Sequence, residues 1–365
     1  MTKIKEVLQY LEEIAPLSLQ ESYDNSGLIV GDSDAEVSGV LICLDSTEAV
    51  VKEAILTGCN LIIAHHPIVF SGLKRFTGSN YVERTIIAAI KNDIAIYASH
   101  TNLDNIANGV NKMIADKLGL INAKILAPKK QLLKKLIVFC PFDHASKVRQ
   151  ALFEAGAGSI GNYDECSFNT DGTGTFRPGE EAKPFIGEEG ITSFAEETKI
   201  EVIIESHLQN KILAALFKSH PYEEVAYDLI PLENYHQNIG SGMIAELSSE
   251  MEEMPFLDHL KKVMKVGSLR FTPLIGQKVA KVALCGGSGS FLLNEAKAAG
   301  AQVFITSDFK YHQFFDAEDS LVIADIGHFE SEQFTMDLFK SLILKKFSKF
   351  AIRLTEVNTN PVNYL

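Results

Sequence analysis

The chain has 365 residues, 46% of them hydrophobic, and a formal charge of −13. That length allows two or three domains with ample core. No apolar run approaches the roughly 20 residues of a membrane span, and the negative charge argues against duplex DNA as the main partner, because phosphate neutralisation needs a basic face. A small anionic substrate in a local cationic pocket stays compatible with it. The N-terminal MTKIKEVLQYLEEIAPL carries an amphipathic helical pattern instead of the layout of a signal peptide. Five cysteines without C-x-x-C spacing (Cys43, Cys59, Cys140, Cys166, Cys285) read as buried free thiols of a cytoplasmic protein.

In chain order, residues 2–14 read as a helix with Thr2 as N-cap and Ile4, Val7, Leu8, Leu11 and Ile14 on one face. Tyr23-Asp24-Asn25 reads as an Asx turn. From Gly39 the pattern becomes regular. Val40 to Leu44 is a strand ending at Asp45, Ser46 or Thr47 caps a helix, and Gly58 stops it. Leu61 to Pro67, LIIAHHP, is a short apolar strand running into two histidines. A helix over 81–91 leads to a strand over 94–98 and the segment SHTNLD, and a further helix over 106–118 closes at Gly119. Strands alternating with helices imply right-handed parallel crossovers. Asp45, His65, His66, His100 and Asp104 then share one sheet edge, where α/β sheets bind ligands.

Residues 125–245 break the pattern. Strands over 134–140, 200–205 and 224–230 alternate with helices over 143–155 and 209–218, around a loop over 171–190. The order matches a ferredoxin-like unit, read as an insertion. The α/β pattern then resumes: a strand over 279–285 ends in GGSGS, a helix spans 291–299, and strands over 303–307 and 321–326 lead to Asp308 and to GHFESE. The glycine-rich turn could hold a phosphate on its backbone N–H groups, or simply be a tight strand-to-helix turn. The fold class expected is therefore α/β, two pseudo-symmetric three-layer lobes (1–124 and 246–365) sharing a metal site, with an inserted α+β domain (125–245).

His328 and Glu332 stand at i, i+4, which puts both side chains on one helical face. With His65, His66 and Asp104 they supply nitrogen and carboxylate ligands from both lobes. Neighbouring strand residues point to opposite faces, so His65 and His66 serve two nearby ions more easily than one. The alternative packs one of them in the core and leaves the other on a turn. Asp104 is the chosen bridging carboxylate. The set suits Zn, Fe, Mn, Co or Ni.

YDNSGLIVGD, LIIAHHP, YASHTNLD, TSDFKYHQFFDA and IGHFESE together resemble the Ngg-one-interacting-factor-three-like family, many of whose members are known as GTP cyclohydrolase 1 type 2 homologues. The resemblance spans essentially the whole length, and Tyr23 stands where many members have Trp. It implies His65, His66, Asp104, His328 and Glu332 as ligands of two divalent ions per subunit (Zn, Fe or Mn), a PII/CutA-like inserted domain, and a homohexamer. A metal-dependent hydrolase is the leading expectation, with GTP as substrate by resemblance and dihydroneopterin triphosphate and formate as products. A phosphoesterase and a non-catalytic metal-binding or regulatory protein are the alternatives. His100 is expected as a base or proton shuttle, with Asp308, Lys310 and His312 orienting substrate.

Overall fold

A computed structural model describes residues 2–365. The described chain forms two compact units, one from the residues up to Pro128 together with Asn238–Leu365, the other from Lys129–Gln237. The opening helix spans Ile4–Ile14, with Lys3 rather than Thr2 as N-cap. The Lys3 amide donates to Glu6 Oε2 at 2.6 Å, satisfying a backbone donor from three residues on. Four strands follow: β1 (Gly27–Val30), β2 (Gly39–Asp45), β3 (Leu61–His66) and β4 (Ala95–Ala98). β2, β3 and β4 pair in parallel, and β1 closes on β4 antiparallel. Val40–Leu44 and Leu61–Ala64 are buried throughout, as strands covered on both faces require. Thr47 caps the first crossover helix and Gly58 ends it at φ 70°.

The helix expected over 106–118 runs over the shorter span Val110–Lys117, and a separate short helix, Thr101–Asp104, precedes it. Gly109 separates them: a Cβ there would lie 1.8 Å from the Leu103 carbonyl oxygen. Between the two helices Ile106 forms a β-bridge to Ile239. β5 (Ile121–Lys129) then leads into the second unit.

That unit is one antiparallel sheet of β6 (Leu133–Pro141), β7 (Ser167–Phe176), β8 (Ser193–Glu205) and β9 (Tyr227–Pro231), in the order β7-β8-β6-β9. Helices Ala145–Glu154 and Gln209–Ser219 link β6 to β7 and β8 to β9, which is the ferredoxin-like topology. Leu136, Val138, Val148, Leu152, Ile200, Ile212 and Leu216 are fully or almost fully buried between sheet and helices. β7 takes only the opening residues, 171–176, of the stretch expected as loop over 171–190, and the rest is a connection to β8. The β7 sequence SFNTDGTGTF lacks an apolar face because it is an edge strand, largely exposed, and is held by register with β8.

The chain returns along β10 (His236–Met251) and continues through β11 (Arg270–Phe271), β12 (Val279–Ser288), β13 (Val303–Ser307), β14 (Val322–Asp325) and β15 (Ala351–Leu354). β5 and β10 cross the boundaries expected at 124/125 and 245/246. β12, β13 and β14 pair in parallel, and β11 closes on β14 antiparallel. The serial order β11-β14-β13-β12 therefore repeats β1-β4-β3-β2, strand sense included. β10 and β5 extend the second sheet beyond β12, and β15 extends the first beyond β2. Of the five free cysteines four are buried and Cys166 is half-buried. No helix among the described residues is long and apolar enough to cross a membrane.

Candidate metal centre

The first unit gathers its histidines at the ends of parallel strands. β3 ends in His65 and His66. β4 runs through Ser99 and His100 into the short helix Thr101–Asp104, and β14 runs through Gly327 into the helix His328–Glu332. β4 and β14 hold matching places in the two sheets, so His100 with Asp104 is the internal counterpart of His328 with Glu332. Both pairs use the i, i+4 spacing.

Each imidazole is fixed through Nδ1. His65 donates to the Ser99 carbonyl at 2.9 Å. His66 bonds Asp45 at 2.8 Å, His100 bonds Asp24 at 2.8 Å, and His328 bonds Asp308 at 2.7 Å. An acceptor on Nδ1 leaves Nε2 as the ligand atom, the arrangement by which metal-binding histidines are oriented. Thr359 Oγ1 donates to Asp45 Oδ2 at 2.9 Å, so the C-terminal segment steadies one of these carboxylates.

The inward atoms converge. His66 Nε2 and His328 Nε2 lie 3.0 and 3.1 Å from Glu332 Oε2, and 3.4 Å from each other. His65 Nε2 is 3.5 Å from Asp104 Oδ1 and 3.7 Å from Glu332 Oε1. Three overlapping groups, His65–Asp104–Glu332, His66–His328–Glu332 and His65–His66–His100, each hold their donor atoms within 4.8 Å. Glu332 belongs to two of them and Asp104 to one. Glu332, where the sequence reading chose Asp104, is the carboxylate common to two of these groups, with Oε1 toward His65 and Oε2 toward His66 and His328.

His65 Nε2 and Asp104 Oδ1 are buried with no hydrogen-bond partner among the described residues. An orphaned buried polar atom costs about 1–3 kcal/mol, so two facing each other are unexpected in a finished core. A cation between them satisfies both. The nitrogen and carboxylate set fits a divalent metal, and the buried His/Glu group can hold one.

The charge state agrees. Burial disfavours the His66 imidazolium, yet its bonds to Asp45 and Glu332 overcome this and raise it to about 10. His328 rises to about 11 against burial through Asp308 and Glu332. Desolvation, then repulsion from Glu332, pushes Asp104 up to about 7. Glu332 is held down despite burial by His328, His65 and His66.

Asp24 is the residue sequence reasoning missed. The expected Asx turn is not formed: Asp24 Oδ1 accepts from the adjacent Asn25 amide at 2.7 Å, and the Ser26 amide donates to Gln20 Oε1 instead. The same buried Asp24 carboxylate also holds His100 Nδ1, the Thr101 amide at 3.0 Å and the Thr101 hydroxyl. No local signal announces a contact 76 residues away in sequence. Lys310 and His312 are not brought to the centre: both are exposed, and the His312 ring packs on Tyr311 and Phe315. Asp308 bonds His328 and also stands in the wall of the cavity over the centre. The glycine-rich turn is no phosphate nest. Its amides at Gly286, Gly287 and Gly289 already donate to Asn111, Ser331 and Thr306, each at 2.9 Å. A cavity of about 770 Å³ opens over His66, His100, Asp104, His328 and Glu332, with Tyr23 and Phe70 also in its wall.

A repeated α/β sheet carrying a His/carboxylate cluster at its strand ends defines a class of metal-centre fold. The chain belongs to the DUF34/NIF3 (NGG1p interacting factor 3) family, which it matches over residues 2–361. A Halalkalibacterium halodurans protein called GTP cyclohydrolase 1 type 2 homolog is 42% identical, with 98% of both chains covered. A Bacillus subtilis protein of the same name is 37% identical over 99% of this chain and 98% of its own. The crystal structure of a Bacillus cereus protein related to NIF3 superposes with a TM-score of 0.87 at 40% identity, covering 100% of this chain and 99% of that one.

Proposed function

We propose that the chain is a dinuclear metal-dependent hydrolase acting on GTP or a closely related purine nucleotide. The observation that carries this reading is the pair of ligand groups sharing Glu332, one completed by His65 and Asp104 and the other by His66 and His328. Two divalent cations bound there would supply a water nucleophile at neutral pH and positive charge against the anion that develops at the attacked atom. The chain's own residues do the rest. Asp45 and Asp308 orient His66 and His328. Asp24 orients His100, whose ring lies 5.2 Å from those of both His65 and His66, so its Nε2 is the base that takes the proton of the attacking water. Phe70 packs edge-on against His100 and shields that proton transfer on one side.

The relatives' shared name supports a purine ring as the electrophile, attacked at C8 with loss of formate on the way to dihydroneopterin triphosphate. A homohexamer is part of the same proposal, checked by light scattering on the eluting protein. Protein reconstituted with Zn, Fe or Mn and incubated with GTP should release formate and yield a fluorescent pterin after oxidation. Phosphate release alone would make it a phosphoesterase. Neither product with any metal would leave a non-catalytic metal-binding protein.

A further inference from the structure

The second unit contains a cavity of about 780 Å³, lined among others by Phe139, Phe176, Phe185, Tyr222 and Glu197. One wall is the connection 177–192 between β7 and β8. Hairpin connections usually need about two to five residues, and longer ordered ones are commonly binding loops. This one is tied down: the Lys183 amide donates to Glu223 Oε1 at 2.6 Å, and the Gly190 amide to the Pro178 carbonyl at 2.9 Å.

The rings surround Tyr222. Phe176 and Phe185 each lie 6.2 Å from it, tilted by 56° and 50°, and His220 lies 5.1 Å away. Phe185 is 53% exposed although a folded core stands beside it. Against this aromatic wall sits one oriented carboxylate. Tyr222 OH donates to Glu197 Oε1 at 2.9 Å. The other oxygen lies across β7 at Gly174, where a Cβ would come within 2.1 Å. The glycine in the middle of an edge strand, costly for β structure, is what makes room for it. Burial and then the neighbouring carboxylate push the Tyr222 phenol up, so it donates as a neutral group. Glu181, Glu223 and Glu224 also line the cavity, against Arg177.

We propose that this cavity is a binding site for a small organic cation, an alkylammonium or guanidinium compound, with its charge on Glu197 and its body against Phe176, Phe185 and Tyr222. Aromatic faces attract a cation through their quadrupole, and a fixed carboxylate selects charge over mere apolarity. An anionic ligand meets the wrong field here. The site is separate from the metal centre in chemistry and in residues, and does not depend on the hydrolase reading.

Titration calorimetry on the full-length, metal-loaded protein tests it, with choline, agmatine and the uncharged carbon isostere of choline as probes. Saturable binding of either cation is expected, weaker by about tenfold for the isostere, and by a similar factor in Glu197→Gln and in Phe185→Ala. Glu197→Gln retains an acceptor for Tyr222, and Phe185 is exposed, so both variants should melt as the parent does. No saturable heat with either cation overturns the proposal. So does an isostere that binds as tightly as choline, or wild-type affinity in both variants.

Discussion

Asp104 shows how a side chain changes sign with the state of the site. In the metal-free chain its carboxylate is partly desolvated and faces Glu332, which raises it to about 7. Asp104→Asn removes that repulsion, so the metal-free variant should gain on the order of 1 kcal/mol in denaturant unfolding at pH 8. The metal-loaded variant should lose affinity instead. His66 and His328 give the matching pH dependence. Their folded values, about 10 and about 11, lie above the ordinary 6.5. The stability they contribute is therefore complete below pH 6.5 and is lost as pH rises through those values. Metal needs the neutral imidazole, so its affinity should move the other way, rising over the same range with release of protons. Melting of the stripped protein and calorimetry in buffers of different ionisation heat would read the two trends. The inward residues were legible because His65-His66, His100-x-x-x-Asp104 and His328-x-x-x-Glu332 are local patterns. Asp24 was not, since its carboxylate works on a partner from another part of the chain.

Strand ends decide which side chains can meet. Gly287 lies at the end of β12 with φ 62°, and a Cβ on it would stand 2.4 Å from Glu332 Oε1. Gly287→Ala should therefore cost about 1–3 kcal/mol of stability and displace the shared carboxylate. Metal content of the purified variant, measured beside its urea midpoint, separates the two effects. The short apolar strands β2, β3, β13 and β14 were readable because burial on both faces demands near-continuous Val, Ile, Leu and Ala. β7 was not, because an exposed edge strand has no apolar face to betray it. The late start of the helix expected over 106–118, at Val110, was hidden for another reason: Ile106 completes a helical pattern but is used in a β-bridge to Ile239.

At the scale of the molecule, one strand order occurs twice, and the insertion of Lys129–Gln237 leaves it undisturbed. The repeat brings two His-x-x-x-acid helices to one cluster. Which carboxylate is shared could not be read from sequence, since Asp104 and Glu332 occupy equivalent places in the two halves. Packing places Glu332 in two of the three donor groups and Asp104 in one. Elemental analysis of the stripped and reconstituted protein, wild type beside Glu332→Gln, tests the central claim most directly. Two equivalents of divalent metal per wild-type chain and one or none in the variant are expected. A wild-type protein that stays empty, or a variant that still holds both ions, would contradict it.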